Sequence, residues 1–496
     1  MYLIGYDLGS SSVKAALVDA KSGKTLAIEQ YPEVEMEIIS HEAGWAEQEP
    51  NTWWDYVKKV TDKVVKSAGI DASLVQGIGI SYQMHGLVLV DENNEALRPS
   101  IIWCDSRAVE IGNQAFDTIG HDQCLKSLLN SPGNFTASKL KWVKDNEPEV
   151  YAKAKKMMLP GDFIAMKMSG EIKTTISGLS EGMLWDFENE KVASFLLDHY
   201  GISEDLIPEI VPSIGEQGTL SEEGAKELGL TAGISIGYRA GDQPNNALSL
   251  NVFEPGEVAA TGGTSGVVYG VVDKPAIDPK TRVNGFAHVN HTSSDPRVGV
   301  LLCINGAGIQ YNYVRQLTTD GNVSYPELEA KASEIAIGSD GLKIIPFGNG
   351  AERVLENQNP GSHISNLHFN LHTKSHFYRA ALEGIAFSFI YGMEIMQDMG
   401  LDVKVMKVGN DNLFQSEIFS TTIASVMDCE IQMLDATGAV GAAKASGVAA
   451  GAYSDVREAF QSMETIKTYK AAADAEAYKS SYQDWKKELT YILNKN

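Results

Sequence analysis

Cysteine is scarce in this chain, and the little there is does not cluster. Cys104, Cys124, Cys303 and Cys429 are scattered through 496 residues, and no CxxC pair occurs. Neither a disulfide framework nor a thiolate zinc site is suggested. Positive charge is also short. There are 41 lysines and arginines against 65 aspartates and glutamates, a formal net charge of −24. Binding to nucleic acid needs basic surface to displace counterions, so no nucleic-acid partner is expected. No apolar run approaches the length that spans a bilayer, so no membrane association is expected either. The first residues enter an apolar run without a basic leader, and a cytoplasmic protein with reduced thiols is the expectation. The shortage of basic residues also constrains any polyphosphate ligand. Backbone N–H groups and a divalent cation must then hold it, rather than a lysine-arginine cluster.

Two short glycine-hydroxyl turns, about half the chain apart, stand out. Asp7-Leu8-Gly9-Ser10-Ser11-Ser12 follows the apolar run 2–6, and Thr261-Gly262-Gly263-Thr264-Ser265-Gly266 follows Val258-Ala259-Ala260. β-rich stretches come after each, at 13–18 and 267–272, so both read as strand, tight turn, strand. Glycine lets a backbone approach an anion closely, and the neighbouring hydroxyl and N–H groups donate to its oxygens. A duplicated hairpin suggests two related domains that grip one polyphosphate.

A chain of this length is too long for one ordinary core, so two domains or more are expected. A helix with Trp53 and Trp54 is predicted over 50–68, and strands over 75–80 and 234–238. Residues 203–232 are acidic and broken by Pro208 and Pro212. The domain boundary is placed near residue 250, before the second hairpin. Beyond it strands and helices alternate, with helices from Gly308 and over 376–399, and a strand over 403–408. Such alternation implies an α/β fold. Residues 438–452, rich in glycine and alanine, suit a close-packed helix, and the end from Asp455 reads as surface helices.

Several residues are placed to carry chemistry, each with a plainer alternative. The spacing at Asp7 is not that of a Walker A loop. Asp7 at a strand tip would face phosphates and hold Mg²⁺, directly or through water; the alternative is a hairpin turn using Asp and Gly for backbone reasons. Asp242, in Ala240-Gly241-Asp242-Gln243-Pro244, ends a buried strand, where ligands of α/β proteins bind, and could accept a proton from a substrate hydroxyl. Its alternative is an Asx-turn or a helix cap before Asn245. His85, in Gln83-Met84-His85-Gly86, could bond a polar ligand or be structural. Trp103-Cys104-Asp105-Ser106-Arg107 combines an aromatic, an acid and a base as carbohydrate sites do, or forms a surface ion pair beside a core tryptophan.

Together these pieces resemble the FGGY family of carbohydrate kinases, in the actin/hexokinase ATPase superfamily. The resemblance runs almost end to end. It covers the Asp7 and Gly262-Gly263 turns, Gln83-Met84-His85-Gly86 and Gly241-Asp242-Gln243. It also covers the two family signature regions, 135–143 and from Leu367 to Gly384. It implies an α/β, two-domain actin/hexokinase-like (ribonuclease H-like) fold with the active site in the interdomain cleft. Residues 1–248 would carry the sugar site and first phosphate hairpin, and 249–496 the nucleotide site and C-terminal surface helices. ATP and Mg²⁺ are the implied cosubstrate and metal, and the partners are small molecules. A homodimer is compatible with the family and not required by it.

The resemblance also implies roles. Asp242 is the catalytic base, and Asp7 supports metal-bound phosphates. Gln83, Met84, His85, Trp103, Asp105 and Gln243 lie on the sugar side, in the manner of members that phosphorylate a ketopentose. Gly9, Ser10, Ser11, Ser12, Gly263 and Thr264 face phosphate, and Gly306, Gln310, Gly409 and Asn410 the nucleotide. The chain departs from the family in places. Asp242-Gln243 is the pair of glycerol-phosphorylating members, where many pentulose-phosphorylating ones have Asp-Asn. Gly409-Asn410-Asp411-Asn412 replaces the usual Gly-Gly-Gly-Ala loop, and Asn366 stands where glycine is usual. A different sugar or polyol, or a non-catalytic ATP-binding regulator, would keep parts of this pattern.

Overall fold

The structure is a computed structural model that describes residues 1–410 and 412–495. It divides into two compact units, neither of them continuous in sequence. Met1–Phe253, Gly285–Val298 and Ala436–Met463 form the first; Glu254–Asn284, Gly299–Asp435 and Glu464–Asn496 form the second.

The first unit is built on a five-stranded sheet, in the order Ser235–Gly241, Val75–Tyr82, Tyr2–Leu8, Val13–Asp19, Thr25–Tyr31. The first three run parallel, and the last two complete an antiparallel meander. The central strands are buried almost throughout, as expected of strands covered on both faces. The helix Pro50–Ala68 covers one face. Trp53, Trp54, Val57, Val60, Thr61 and Val64 make its buried stripe at helical spacing. Proline in its first turn and Gly69 beyond its end, at φ 63°, delimit it.

The helix Gly438–Ser446 covers the other face, packing on Tyr2–Leu8 and Val75–Tyr82. Its approach is close because the strands carry notches. A methyl group at Gly5 would overlap the backbone of Ala439 and Ala443, and one at Gly79 would overlap the Ala442 carbonyl. Gly5 and Gly79 are partners in the ladder, so the two notches form one groove. In sequence this helix follows the second hairpin. It packs instead with the first unit, because the groove that admits it lies on strands near the N-terminus.

In the second unit, six strands lie in the order Val298–Ile304, Gly266–Val272, Glu257–Gly262, Val405–Gly409, Glu430–Leu434, Thr465–Tyr469. The long helix Lys374–Asp398 is buried over most of its length, and its Phe389 meets Phe414 and Phe419 edge-on. The end of the chain differs from the expectation of surface helices. Thr465–Tyr469 is an edge strand antiparallel to Glu430–Leu434. The helix Ala475–Leu493 buries Tyr478, Tyr482, Trp485, Leu489 and Ile492, a stripe at helical spacing. Among the described residues, no helix is long and apolar enough to cross a membrane.

Candidate active site

Parallel strands deliver their C-terminal ends to one edge of a sheet. In the first unit this register brings the acidic residues together. Asp7 pairs with Ser81, and Gly241 with Tyr82, so Asp7, Gln83-Met84-His85 and Asp242 all emerge from one edge. Asp242 is the first residue of the helix Asp242–Ser249; Gly241, not Asp242, occupies the cap position. Burial, and then the charge of Asp7, push its carboxyl up to about 7, while hydrogen bonds from Gln243 pull the other way. Burial likewise raises the pKa of Asp7, opposed by the Ser81 hydroxyl, which donates at 3.1 Å, and by the charge of Lys14. Oδ2 of Asp7 lies against Gly438, the first residue of the helix in the glycine groove, where an added Cβ would come to 2.8 Å. Asp7, Lys14, Lys63, Thr437 and Gly438 contribute to the lining of a cavity of about 610 Å³.

The Asp7 turn is closed by Gly9 N–H donating to the Ser12 carbonyl at 3.0 Å. Neighbouring segments are tied to it. Gln48 Nε2 donates to Ser10 O at 2.7 Å, Met36 N–H to Ser11 O at 2.8 Å, and the exposed Trp103 indole to Ser10 Oγ at 3.3 Å. Gln83 is buried and donates to Gln48 Oε1 at 3.1 Å. Met84 is buried with its Cγ at the space where Gly241 lacks a side chain. His85 sits in the left-handed region at φ 62°, its ring edge-on to Phe135 at 4.7 Å.

Asp105 has a different part from the one its sequence cluster suggests. It is fully buried, and Arg107 grips both its oxygens while Ala46 N–H donates to Oδ2 at 2.6 Å. The Arg107 guanidinium also pairs with Glu47 and stacks over Trp45 and Trp142. This is the ion-pair alternative, but an interior one. Asp105 shapes the segment that carries Trp103 rather than presenting a carboxylate outward.

The second unit repeats the arrangement on its own sheet. Glu257–Gly262 and Val405–Gly409 run parallel, so Gly263-Thr264 and Gly409-Asn410 emerge from one edge. Gly263 O and Thr264 O accept from Gly308 N–H and Ile309 N–H at 3.0 and 3.1 Å, seating the turn on the start of the helix Gly308–Thr319. Asn305 N–H and Gly306 N–H donate to the buried Glu352, each at 3.0 Å. Gln310 is buried, and among the described residues its Oε1 has no hydrogen-bond partner. Asn410 O accepts from Gln415 Nε2 at 3.1 Å. Asp411 lies outside the described residues.

Four residues were not singled out in the sequence: Lys139, Glu181, Glu352 and Gly438. Lys139 had a signal, since it shares the stripe 136, 139, 140 and 143 with Thr136, Leu140 and Val143 on the buried face of the helix Thr136–Asn146. Gly438 opens the glycine- and alanine-rich stretch 438–452, whereas for Glu181 and Glu352 the local sequence carries no signal.

Carboxylates at a strand edge and glycine-hydroxyl turns are groups that phosphoryl transfer can use, as metal support and as phosphate donors. The chain belongs to the FGGY family of carbohydrate kinases: the family's N-terminal domain matches residues 2–249 and its C-terminal domain residues 258–450. The xylulose kinase of Bacillus subtilis (strain 168) is 28% identical over 510 residues, covering 100% of this chain and 98% of its own. That of Staphylococcus epidermidis (strain ATCC 12228 / FDA PCI 1200) is 31% identical over 402 residues, covering 80% and 77%. Among solved structures, the xylulose kinase of Rhodospirillum rubrum superposes with a TM-score of 0.88 at 23% identity, covering 99% of each chain. The gluconate kinase of Lactobacillus acidophilus also gives 0.88, at 22%, covering 99% and 98%. These two structures speak to the fold.

Proposed function

We propose that this kinase transfers the γ-phosphoryl group of ATP to the primary hydroxyl of D-xylulose, giving D-xylulose 5-phosphate and ADP. The observation that carries the chemistry is Asp242, a strand-edge carboxylate whose pKa burial and the charge of Asp7 push up to about 7. A base tuned near neutrality is suited to take a proton from an alcohol as it becomes a nucleophile. The hydroxyl oxygen attacks the γ-phosphorus, its proton passes to Asp242, and the bond to the β–γ bridging oxygen breaks as ADP leaves. Support for the sugar comes from relatives named as xylulose kinases, of which the Bacillus protein matches over the whole chain. Gln243 beside the base is the feature that favours a polyol such as glycerol as the alternative acceptor.

His85, Met84 and Trp103 would contact the sugar. Gly9 to Ser12, Gly263 and Thr264 would donate to phosphate, and Gly306, Gln310, Gly409 and Asn410 would contact the nucleotide. Asp7 fits a magnesium site: Mg²⁺ keeps several waters and takes one or two carboxylates. Asp7 contributes one carboxylate to the cavity lining, and no cluster of three ligating side chains occurs among the described residues. The ion would neutralise phosphate charge.

Two expected outcomes test this reading. The kcat/KM for D-xylulose should fall about tenfold per pH unit below about 7, because protonated Asp242 has no site left for the hydroxyl proton. A profile flat through neutrality and below contradicts the base. Asp7→Ala should lower Mg²⁺-dependent turnover by roughly a hundredfold, about 3 kcal/mol of charge stabilisation, while sugar affinity without nucleotide is retained. Equal losses in sugar binding and turnover contradict the metal role.

A further inference from the structure

The loop that carries His85 is held by two buried ionisable residues from outside it. His85 lies at φ 62°, a region that non-glycine residues enter only where their surroundings hold them. Its carbonyl accepts from Lys139 Nζ at 2.8 Å. Its N–H donates to Glu181 Oε1 at 3.4 Å. Its ring Nδ1 lies 2.9 Å from the Glu181 carbonyl oxygen, and since a carbonyl only accepts, Nδ1 carries a proton. In the neutral ring Nε2 is then the acceptor. Backbone donor, backbone acceptor and ring tautomer are thus all set by two residues.

Neither residue is satisfied by His85 alone. Lys139 also donates to Ile102 O at 2.9 Å, one residue before Trp103, so its ammonium joins the His85 loop to the Trp103 loop. Glu181 Oε2 packs into the space left by Gly241, immediately before Asp242. The two arms are themselves tied, Ala137 N–H donating to Gly182 O at 3.0 Å. Both side chains are fully buried, Lys139 on Thr136–Asn146 and Glu181 at the end of Ile176–Glu181.

We propose that Lys139 and Glu181 form a clamp on His85 that positions the sugar-binding loops and sets sugar affinity. The proposal rests on the reading of His85 as a sugar-side residue. Lys139 and Glu181 are positioning residues, since neither is exposed to a ligand. Burial lowers the Lys139 ammonium to about 7, which agrees with a lysine retained for what it holds rather than for solvation.

The test compares Lys139→Met, Lys139→Gln and His85→Ala, with each substrate varied in turn. Lys139→Met leaves the His85 carbonyl without the Lys139 donor and the Ile102 carbonyl with the Asp105 N–H alone, and the KM for D-xylulose should rise about tenfold while the ATP KM is unchanged. Lys139→Gln keeps a donor for one carbonyl and guards against a methionine variant that does not fold. It should raise the sugar KM by an intermediate factor, about three- to fivefold. In the His85→Ala background, Lys139→Met should raise the sugar KM by a smaller factor than in the wild type, because the part that acts through the His85 ring is already lost and only the part through the Trp103 loop remains. A folded Lys139 variant with normal sugar KM, or effects that simply multiply with His85→Ala, overturns the clamp alone. A normal sugar KM in His85→Ala overturns the reading of His85, and the clamp with it.

Discussion

Asp242→Asn is expected to cut turnover by about 10²–10⁴-fold, the scale of a lost general base, while sugar binding and the fold persist. The stability of the variant separates chemistry from folding. Asp242 has its folded pKa raised to about 7, above that of an unfolded aspartate near 4, so folding favours the protonated form. Its stabilising contribution is full below about pH 4 and is lost as the pH rises through about 7. At neutral pH the ionised carboxylate therefore burdens the fold, with Asp7 as its repulsive neighbour. The asparagine variant should melt at or above the wild-type temperature at pH 7, although it is nearly inactive. Near-normal turnover removes Asp242 from the mechanism. A lowered melting temperature at pH 7 with the activity loss makes the residue structural.

The largest expected effect on folding lies in the groove on the first sheet. Gly79→Val would drive a branched side chain into the Ala442 carbonyl, which leaves no room even for a methyl group. Overpacking within side-chain contacts costs about 1–3 kcal/mol, and more where rigid backbone must move. Here the obstacle is a helix backbone bedded on two strands, so a loss of at least about 3 kcal/mol is expected, a large share of the usual ~5–15 kcal/mol. The same helix sets Gly438 against Asp7, so activity should fall with stability. Urea denaturation of the purified variant measures this. A wild-type midpoint would mean that the helix is not seated in the groove.

Much of this was legible from short-range pattern. That Asp7 and Asp242 share one strand edge is legible because each ends an apolar run, and strand ends in parallel sheets converge. The glycine-hydroxyl turns were legible for the same reason. What was not legible depends on contacts far apart in sequence. The helix Gly438–Ser446 reads as close-packed from its composition, but nothing local says that its groove lies on Gly5 and Gly79. Thr465–Tyr469 is mostly exposed and has little apolar alternation, so the edge it pairs with makes it a strand. Asp105 beside Arg107 reads alike whether the pair faces a sugar or the interior. Its burial, and the two tryptophans over Arg107, decide between them. Glu181 became visible only when the sheet brought Gly241 against it.

The central claim is that this FGGY kinase acts on D-xylulose through Asp242. It is tested most directly by measuring ADP release with ATP and Mg²⁺ across a panel of ketopentoses, glycerol, gluconate and other polyols and sugar acids. The panel is run with the wild type and with Asp242→Asn. The account predicts the highest kcat/KM for D-xylulose and its loss in the asparagine variant. A higher kcat/KM for glycerol, gluconate or another acceptor, or D-xylulose activity that survives in Asp242→Asn, would contradict it.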